Sequence, residues 1–371
     1  MKNNYIDISS VIIDKLQDWP IYKNSPLLIA GPCSAESETQ IIETAEELIK
    51  DNSINVFRAG IWKSRTNPNA FSGIGEPAIN WLLKVKETFN IPITIEVMNA
   101  EHVKIALDNG IDILWVGART TVNSFFIDEI AQAIKTYGNA EDIIVLIKNP
   151  IIPDINLWLG AIKRINEVGV NKIAAIHRGF NSSLPILFRN DPYWEIPLKL
   201  KSLIPNMPIF CDPSHIAGDK QYIKEIAERA YTLGANGLMV EVHNNPKKAL
   251  SDSKQQITPT EYKKLILELH KYKNNIEKLS KSSEKLIKLN EYRELLDILD
   301  ESLLTILSER FKVVKQIDKV KKDLNLSPLQ IERWNRMLED RIKKGNSLGL
   351  STETITEIME LIHEISINLQ K

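Results

Sequence analysis

The feature that most constrains the fold is a series of eight short apolar runs of strand length in the first two thirds of the chain. Amphipathic helical patterns separate most of them, at 38–50, 76–89, 100–108, 124–137, 157–168 and 220–233. Strands that alternate with helices indicate parallel βαβ units, because parallel strands need a long crossover connection. Eight units predict an α/β fold, a closed (β/α)8 TIM barrel of about 250 residues. An open doubly wound sheet is the alternative. The eight runs are 27–30, 56–57, 93–97, 113–116, 143–147, 173–176, 209–211 and 238–242.

The strand signal stops after a last helical pattern at 261–272. Residues 273–285 are polar and charged, which is typical of a linker. From 286 to 324 there is no Gly or Pro, and apolar residues recur at helical spacing, so we expect one very long helix that needs a partner surface. A second helix is predicted to begin with a Ser327 cap, and a third to span 353–370 after Ser351. The predicted domains are a barrel at 1–272, a linker at 273–285 and an all-α three-helix domain at 286–371 that dimerises.

Composition excludes several classes of partner. The 371 residues carry 47 basic and 48 acidic side chains, so no global field attracts nucleic acid or an anionic membrane. Only two cysteines are present, which favours a reducing compartment. No apolar run is long enough to cross a bilayer, and the N-terminal segment has no apolar signal core. We therefore expect a cytoplasmic protein.

Cationic side chains follow several predicted strands where each strand ends. In a barrel the C-terminal ends of the strands meet at one mouth. Arg and Lys at such a mouth suit the oxygens of phosphate or carboxylate groups. For any single stretch, a solvated basic loop is the alternative. Because the chain is nearly neutral overall, the cluster predicts an anionic ligand with more than one such group. The six cations are Arg58, Lys63, Arg65, Arg119, Lys148 and Arg178.

Four side chains of metal-ligand type fall at the same predicted mouth. They are Cys33, His215, Glu241 and Asp252. A mixed thiol, imidazole and carboxylate set suits a divalent transition metal such as Mn, Fe or Zn. Each residue alone also has a plain structural explanation, such as a small buried thiol or a salt-bridge partner. Together they predict a metal site.

The motifs at the strand ends resemble those of 3-deoxy-D-arabino-heptulosonate 7-phosphate (DAHP) synthase, over about residues 25–270. That enzyme condenses phosphoenolpyruvate with erythrose 4-phosphate. The resemblance implies that the four residues above hold a metal and that Lys63 and Lys148 are catalytic. It implies a phosphoenolpyruvate site at Arg58, Lys63, Arg119, Lys148 and Arg178, and a sugar-phosphate site at Arg65 and Thr66. The motifs are Gly31-Pro32-Cys33-Ser34, Lys63-Ser64-Arg65-Thr66, Gly117-Ala118-Arg119, Lys148-Asn149, His177-Arg178-Gly179, Asp212-Pro213-Ser214-His215, Glu241-Val242-His243 and Ser251-Asp252.

One position departs from this family. Ser64 stands where the family usually has proline. The sister family, 3-deoxy-manno-octulosonate 8-phosphate synthase, shares the barrel and uses arabinose 5-phosphate, so it is the alternative for the barrel. The Arg65-Thr66 pair after Lys63 is closer to the version that takes the four-carbon sugar.

The cations of the helical segment form a second pattern. Arg310 and Lys321 are eleven residues apart, which places them within about 20° on one helix face. Arg293 lies roughly 100° away, toward a different site that a dimer partner could complete. A solvated coiled-coil surface, and thus an inert dimerisation coil, is the alternative.

Over residues 286–371 this pattern resembles the all-helical dimeric chorismate mutase. The resemblance implies that arginines bind the two carboxylates of chorismate, while Lys321 and Gln370 contact the ether oxygen. Gln330 and Trp334 stand where many members have acidic residues. We expect a bifunctional homodimer or higher oligomer, or else a synthase whose helical domain senses chorismate or prephenate. The implied catalytic residues are Arg310, Lys321 and Gln370, and the implied substrate-binding residues are Arg293, Arg310, Lys321, Arg333, Ser366 and Gln370.

Overall fold

The eight predicted strands form a closed parallel barrel. The computed structural model describes residues 5–23, 25–50, 53–63, 69–181, 187–280, 283–324, 327 and 330–369, with the backbone alone at 274–280, 283–295, 297–298 and 301. Each strand pairs in parallel with the next, and β8 closes the ring on β1 with Gly31 opposite Glu241. The open doubly wound alternative is therefore wrong. The strands are β1 Leu27–Gly31, β2 Val56–Arg58, β3 Ile93–Val97, β4 Ile113–Val116, β5 Ile144–Lys148, β6 Lys172–His177, β7 Ile209–Cys211 and β8 Gly237–Glu241.

Helices cover the outside of the barrel. Side-chain caps begin several of them: Ser37 accepts from the Gln40 amide and Asn99 from the His102 amide. Thr258 and Glu261 form a reciprocal capping box at the start of the last one. The described helices of this unit are α1 Glu38–Ile49, α2 Pro77–Phe89, α3 Ala100–Asp108, α4 Ala118–Thr121, α5 Ser124–Tyr137, α6 Ile155–Glu167, α7 Glu195–Leu203, α8 Pro213–Ala217, α9 Ile223–Thr232 and α10 Pro259–Ser280, with short 3-10 turns at Leu16–Asp18, Ala140–Asp142, Lys220–Tyr222 and Pro246–Lys248.

Alternation along the strands divides the core into two layers. Leu27 and Ile29 of β1 belong to the cluster inside the barrel, whereas Leu28 and Ala30 belong to the cluster between strands and helices. This follows from the two-residue period of a strand, which sends successive side chains to opposite faces. The inner cluster also includes Trp19, which is contributed by the segment before β1. The barrel interior is thus a packed core, and the site must lie at its mouth.

The chain divides into two compact units, residues 1–277 and 278–371. In the second unit the described helices are α11 Ser283–Asp323, α12 Ile331–Ser347 and α13 Thr352–Asn368. Ser351 caps α13 as predicted, accepting from the Thr354 amide. Many large apolar side chains of this unit are exposed. They include Leu299, Leu303, Leu304, Ile306, Val313, Ile317 and Val320 of α11 and Ile358 and Leu361 of α13.

The predicted ends of two helices are wrong, although the chain divides at residues 277 and 278, inside the segment expected as a linker. Helix α10 continues to Ser280 and α11 begins at Ser283, so most of the expected linker at 273–285 is helical. That segment contains no Gly or Pro, and its four Lys and two Glu are good helix formers. Helix α12 begins at Ile331 after an extended Gln330, not after Ser327. Among the described residues, no helix combines the length and apolarity needed to cross a bilayer.

Candidate active sites

A cavity of about 300 Å³ lies at the C-terminal ends of the barrel strands. Its lining carries five cations and three acidic or imidazole groups, which come from strand ends and from the loops that follow them. Gly117 lets the Glu96 side chain approach the backbone closely, because a Cβ at that position would lie 2.0 Å from Glu96 Oε1 and the carboxylate would have to move. The lining residues are Lys63, Glu96, Gly117, Ala118, Arg119, Lys148, Ile151, Arg178, Asn181, Arg189, Asn190, His215 and Asp252.

Two buried cations, Arg58 and Lys148, lie over the indole ring of Trp115. Arg58 Cζ lies 4.8 Å and Lys148 Nζ 5.9 Å from the ring centroid. Arg58 is 1% exposed, and its NH2 is 3.2 Å from Glu241 Oε1. Lys148 Nζ is 2.8 Å from Asp212 Oδ2, whose carboxylate is fully buried. Both buried charges therefore have a carboxylate partner and lie over the aromatic face of Trp115.

Arg178 is fixed through two asparagines. Its amide donates to Asn149 Oδ1 at 2.7 Å, and its NH1 donates to Asn190 Oδ1 at 2.9 Å. The Asn190 amide group donates in turn to the His215 carbonyl at 2.6 Å. Burial lowers the pKa of Arg178 to about 10, so the guanidinium stays charged at neutral pH. This network holds a cation on the cavity wall and connects it to the segment that carries His215.

Thiol, carboxylate and imidazole groups cluster beside these cations. Cys33 Sγ, a Glu241 oxygen and an Asp252 oxygen all lie within 4.8 Å of one another. His215 Nε2 is 3.8 Å from Glu241 Oε1, and its Nδ1 is 2.8 Å from Asp212 Oδ2. Three of the four predicted metal ligands thus converge, and the fourth adjoins one of them. This donor set fits a divalent transition metal.

The cluster combines an ionised carboxylate with a neutral thiol. Burial, with Glu241 adding to it, raises the pKa of the Cys33 thiol to about 12. The thiol donates to Asp252 Oδ2 at 3.3 Å, and Lys63 Nζ approaches Cys33 Sγ at 3.2 Å. Burial alone would raise the pKa of Glu241, but His215 and Arg58 hold it below its ordinary value. An ionised carboxylate beside a thiol whose proton a metal can displace is a suitable binding site.

The helical unit has its own polar cluster. Arg310 NH1 on α11 donates to Ser366 Oγ on α13 at 2.6 Å. Trp334 on α12 stacks on His363 of α13, with ring centroids 3.9 Å apart and an interplanar angle of 14°. Burial lowers the pKa of His363, and Arg310 and Lys321 lower it further. Both cations therefore lower the pKa of the same imidazole, in agreement with the prediction that they share one face of the helix.

Residues 11–278, well over half of the chain, match the sequence pattern of the DAHP synthetase I family. The chain belongs to that family. Residues 292–371 match chorismate mutase type II. The two matches cover the barrel and the helical unit separately, in the order that the motifs predict.

Curated relatives and solved structures agree with the family. A phospho-2-dehydro-3-deoxyheptonate aldolase of Thermotoga maritima is 29% identical over 244 residues, which cover 66% of this chain and 69% of the relative. A 2-dehydro-3-deoxyphosphooctonate aldolase of Desulfatibacillum aliphaticivorans is 28% identical, covering 62% of this chain and 86% of the relative. The crystal structure of the Thermotoga maritima DAHP synthase is similar with a TM-score of 0.59 at 27% identity, covering 67% of this chain and 69% of that one. A truncated form of the same organism's enzyme gives 0.60 at 26% identity, with 72% and 93% covered.

Most predicted site residues of this DAHP synthetase I family member lie together. Lys63, Arg119, Lys148 and Arg178 line the cavity, and Arg58 is buried against Glu241. Arg65 and Thr66 lie outside the described residues, as do Ser64, Gln370 and the side chain of Arg293. In the helical unit Arg310 and Ser366 are in contact, whereas Arg333 is exposed on α12. Roles in binding and catalysis remain predictions.

Several residues of the site were not predicted. Trp115 and Asp212 fix the buried cations, and Arg189 and Asn190 line the cavity. Asp212 belongs to the Asp-Pro-Ser-His motif and could have been found as the N-cap of α8, since its carboxylate accepts from the His215 amide. Trp115 lies inside an apolar strand, where an aromatic residue is typical of packing. Arg189 and Asn190 do not directly follow a strand, so inspection of the predicted strand ends does not identify them.

Proposed function

We propose that the barrel cavity condenses phosphoenolpyruvate with erythrose 4-phosphate to DAHP and phosphate, and that the helical unit rearranges chorismate to prephenate. The chain is a bifunctional shikimate-pathway enzyme with a DAHP synthase and a chorismate mutase domain. The observation that carries the barrel proposal is the convergence of Cys33, Glu241 and Asp252 beside a cation-lined cavity.

In the condensation, C3 of phosphoenolpyruvate attacks the aldehyde carbon, water adds at C2, the aldehyde oxygen takes a proton and phosphate leaves. A divalent metal held by Cys33, His215, Glu241 and Asp252 would supply Lewis-acid polarisation of the aldehyde. Lys148, Arg178 and Arg119 would bind the phosphate and carboxylate of phosphoenolpyruvate with charge-assisted hydrogen bonds. Because Arg58 and Lys148 are held by buried carboxylates, they can be placed for developing charge before substrate arrives.

The barrel proposal is tested by following phosphoenolpyruvate loss and phosphate release before and after chelation. We expect activity to disappear with the chelator and to return with added Mn²⁺, Fe²⁺ or Zn²⁺. Cys33→Ser should abolish the metal-dependent activity, whereas Cys211→Ser, at an equally buried cysteine of β7, should retain it. Full activity after complete chelation would overturn the metal-dependent proposal. Arabinose 5-phosphate in place of erythrose 4-phosphate tests the octulosonate alternative.

The mutase reaction breaks an ether C–O bond and forms a C–C bond within one molecule, so it needs a folded substrate and complementary charge rather than a nucleophile. Arg310 would bind one carboxylate, with Ser366 fixing its guanidinium, and Lys321 would face the ether oxygen. We expect Arg310→Ala to lower kcat/KM about 100-fold, the typical cost of losing one donor that stabilises transition-state charge. Arg341→Ala, at an exposed position of α12, should leave it unchanged. Equal activity of both variants would contradict this assignment.

We also propose that the helical unit forms a dimer, as a site that takes Arg293 from a second subunit would require. The exposed apolar side chains of α11 and α13 support a partner surface, because a monomer rarely leaves so many uncovered. A sensing role is the second proposal. The aromatic Trp334 in place of an acidic residue is the observation that supports it. Inhibition of the synthase by prephenate, combined with undetectable mutase activity, would favour the sensor.

A further inference from the structure

Arg189 is a cavity cation that none of the strand-end motifs includes. It lies between β6 and α7, and its side chain is 45% exposed. Its NH1 donates to Asp252 Oδ1 at 3.1 Å and to Gln255 Oε1 at 2.7 Å. One nitrogen thus spans a carboxylate of the proposed metal site and a neighbouring amide.

The side-chain amide of Gln255 links Arg189 to a second carboxylate, that of Glu241. Gln255 is 1% exposed, and its Nε2 donates to Glu241 Oε2 at 2.6 Å. The bridge from Arg189 through Gln255 therefore occupies Asp252 Oδ1 and Glu241 Oε2. The other oxygen of each carboxylate faces the cluster: Asp252 Oδ2 accepts from Cys33 Sγ, and Glu241 Oε1, which also accepts from Arg58 NH2 at 3.2 Å, lies 3.8 Å from His215 Nε2. The bridge therefore holds one oxygen of each carboxylate away from Cys33 and His215 and leaves the other beside them.

The local backbone structure keeps Arg189 beside the segment that carries His215, another proposed metal ligand. Its amide donates to the Ala217 carbonyl at the end of α8, two residues after His215. Gly218 follows with φ +70°, and a Cβ there would lie 2.3 Å from the Cβ of Arg189. Only glycine combines this left-handed backbone with such a close approach. Asp252 itself has φ +47°, so its position too depends on its surroundings.

We propose that Arg189 is a positioning residue of the metal site, which sets the orientation of Asp252 and, through Gln255, of Glu241. The inference rests on the proposed metal-dependent function. The positive charge of Arg189 also repels a metal ion, but its side chain is nearly half exposed, so water screens that repulsion. Two hydrogen bonds from one planar guanidinium fix geometry that a lysine ammonium does not reproduce. Orientation therefore outweighs repulsion.

The test measures Co²⁺ affinity in the whole protein without substrate, by competition with a chromophoric chelator and by the thiolate-to-Co²⁺ absorption band that reports Cys33. Residues that orient metal ligands typically change affinity 10–100-fold, so we expect that loss in Arg189→Ala and also in Arg189→Lys. Arg164→Ala is the matched control, because Arg164 pairs with Asp128 at 2.9 Å at similar exposure. Its Co²⁺ affinity should equal that of wild type.

Three results separate the possibilities. Unchanged or tighter Co²⁺ binding in Arg189→Ala overturns the inference. A raised KM for phosphoenolpyruvate at saturating metal, with unchanged affinity for Co²⁺, would assign Arg189 to substrate instead and also overturns it. A wild-type protein that binds no Co²⁺ refutes the metal site itself. If Arg189→Ala melts below wild type in chelator, Gln255→Leu breaks the same bridge and should show the same loss of affinity.

Discussion

Replacing Asp212 by Asn tests the argument that buried partners hold the cations of the barrel site. Asp212 is fully buried and lies 2.8 Å from Lys148 Nζ. Burial alone would raise its pKa, yet His215, Lys148 and Arg58 hold that pKa well below its ordinary value. Asn keeps the side-chain volume and can still cap α8, so the substitution removes chiefly the negative charge.

The expected cost is large because Lys148 is left as a buried cation without its partner. Breaking a buried pair in this way costs about 3–5 kcal/mol. For a unit of this size each kcal/mol lowers Tm by roughly 2–4 °C, which gives a fall of about 6–20 °C. The assay is thermal unfolding by circular dichroism in the presence of chelator, so that lost metal does not contribute.

Asp128→Asn provides the matched control. It removes the same charge from an exposed pair, Arg164 and Asp128 at 2.9 Å, and should cost under about 1 kcal/mol. If Asp212→Asn proved as stable as Asp128→Asn, the buried carboxylate would not be holding Lys148, and the account of the preorganised site would be wrong.

Four further predictions concern other parts of the chain. Trp115→Leu removes the aromatic ring over which Arg58 and Lys148 lie, and each such desolvated contact is worth about 2 kcal/mol. Steady-state kinetics should therefore show that the KM for phosphoenolpyruvate rises more than about tenfold. Burial lowers the pKa of His177 to about 3, so protonation favours the unfolded chain as pH falls below about 6.5. Urea unfolding between pH 6 and pH 4 should therefore show wild type losing up to about 1.4 kcal/mol per pH unit more than His177→Phe, and equal slopes would contradict this. Ile306→Glu places a charge among the exposed apolar side chains of α11 and should convert a dimer to monomers by light scattering, with loss of mutase activity. Trp334→Glu introduces the acidic group that many chorismate mutases carry at this position. It should raise the mutase kcat/KM about tenfold, as one charge-assisted hydrogen bond predicts; an unchanged value would mean that Trp334 does not face the substrate.

The strands and most of the barrel mouth follow directly from the sequence. Apolar runs in a βαβ order determine where strand ends lie, and strand ends carry Cys33, Lys148 and Arg178. Site residues that do not lie at strand ends cannot be predicted in this way. Trp115 serves the site from inside a strand, and Arg189 reaches it from a segment between β6 and α7.

The helical structure of the segment between the two units does not follow from its composition. A polar segment can be a linker or an exposed helix, and composition alone does not separate them when Gly and Pro are both missing. Helix α10 continues to Ser280 because its residues are good helix formers. In the helical unit the stack of Trp334 on His363 depends on two helices meeting side by side, which periodicity within one helix does not specify.

The most direct test of the whole account is to assay both reactions in one preparation of the intact protein, before and after chelation. We expect DAHP formation from erythrose 4-phosphate that disappears with the chelator and returns with a divalent metal. Conversion of chorismate to prephenate should continue unchanged throughout, because the proposed mutase residues Arg310, Lys321 and Ser366 are not metal ligands. Synthase activity that survives complete removal of metal, or mutase activity that is lost with it, would contradict the account.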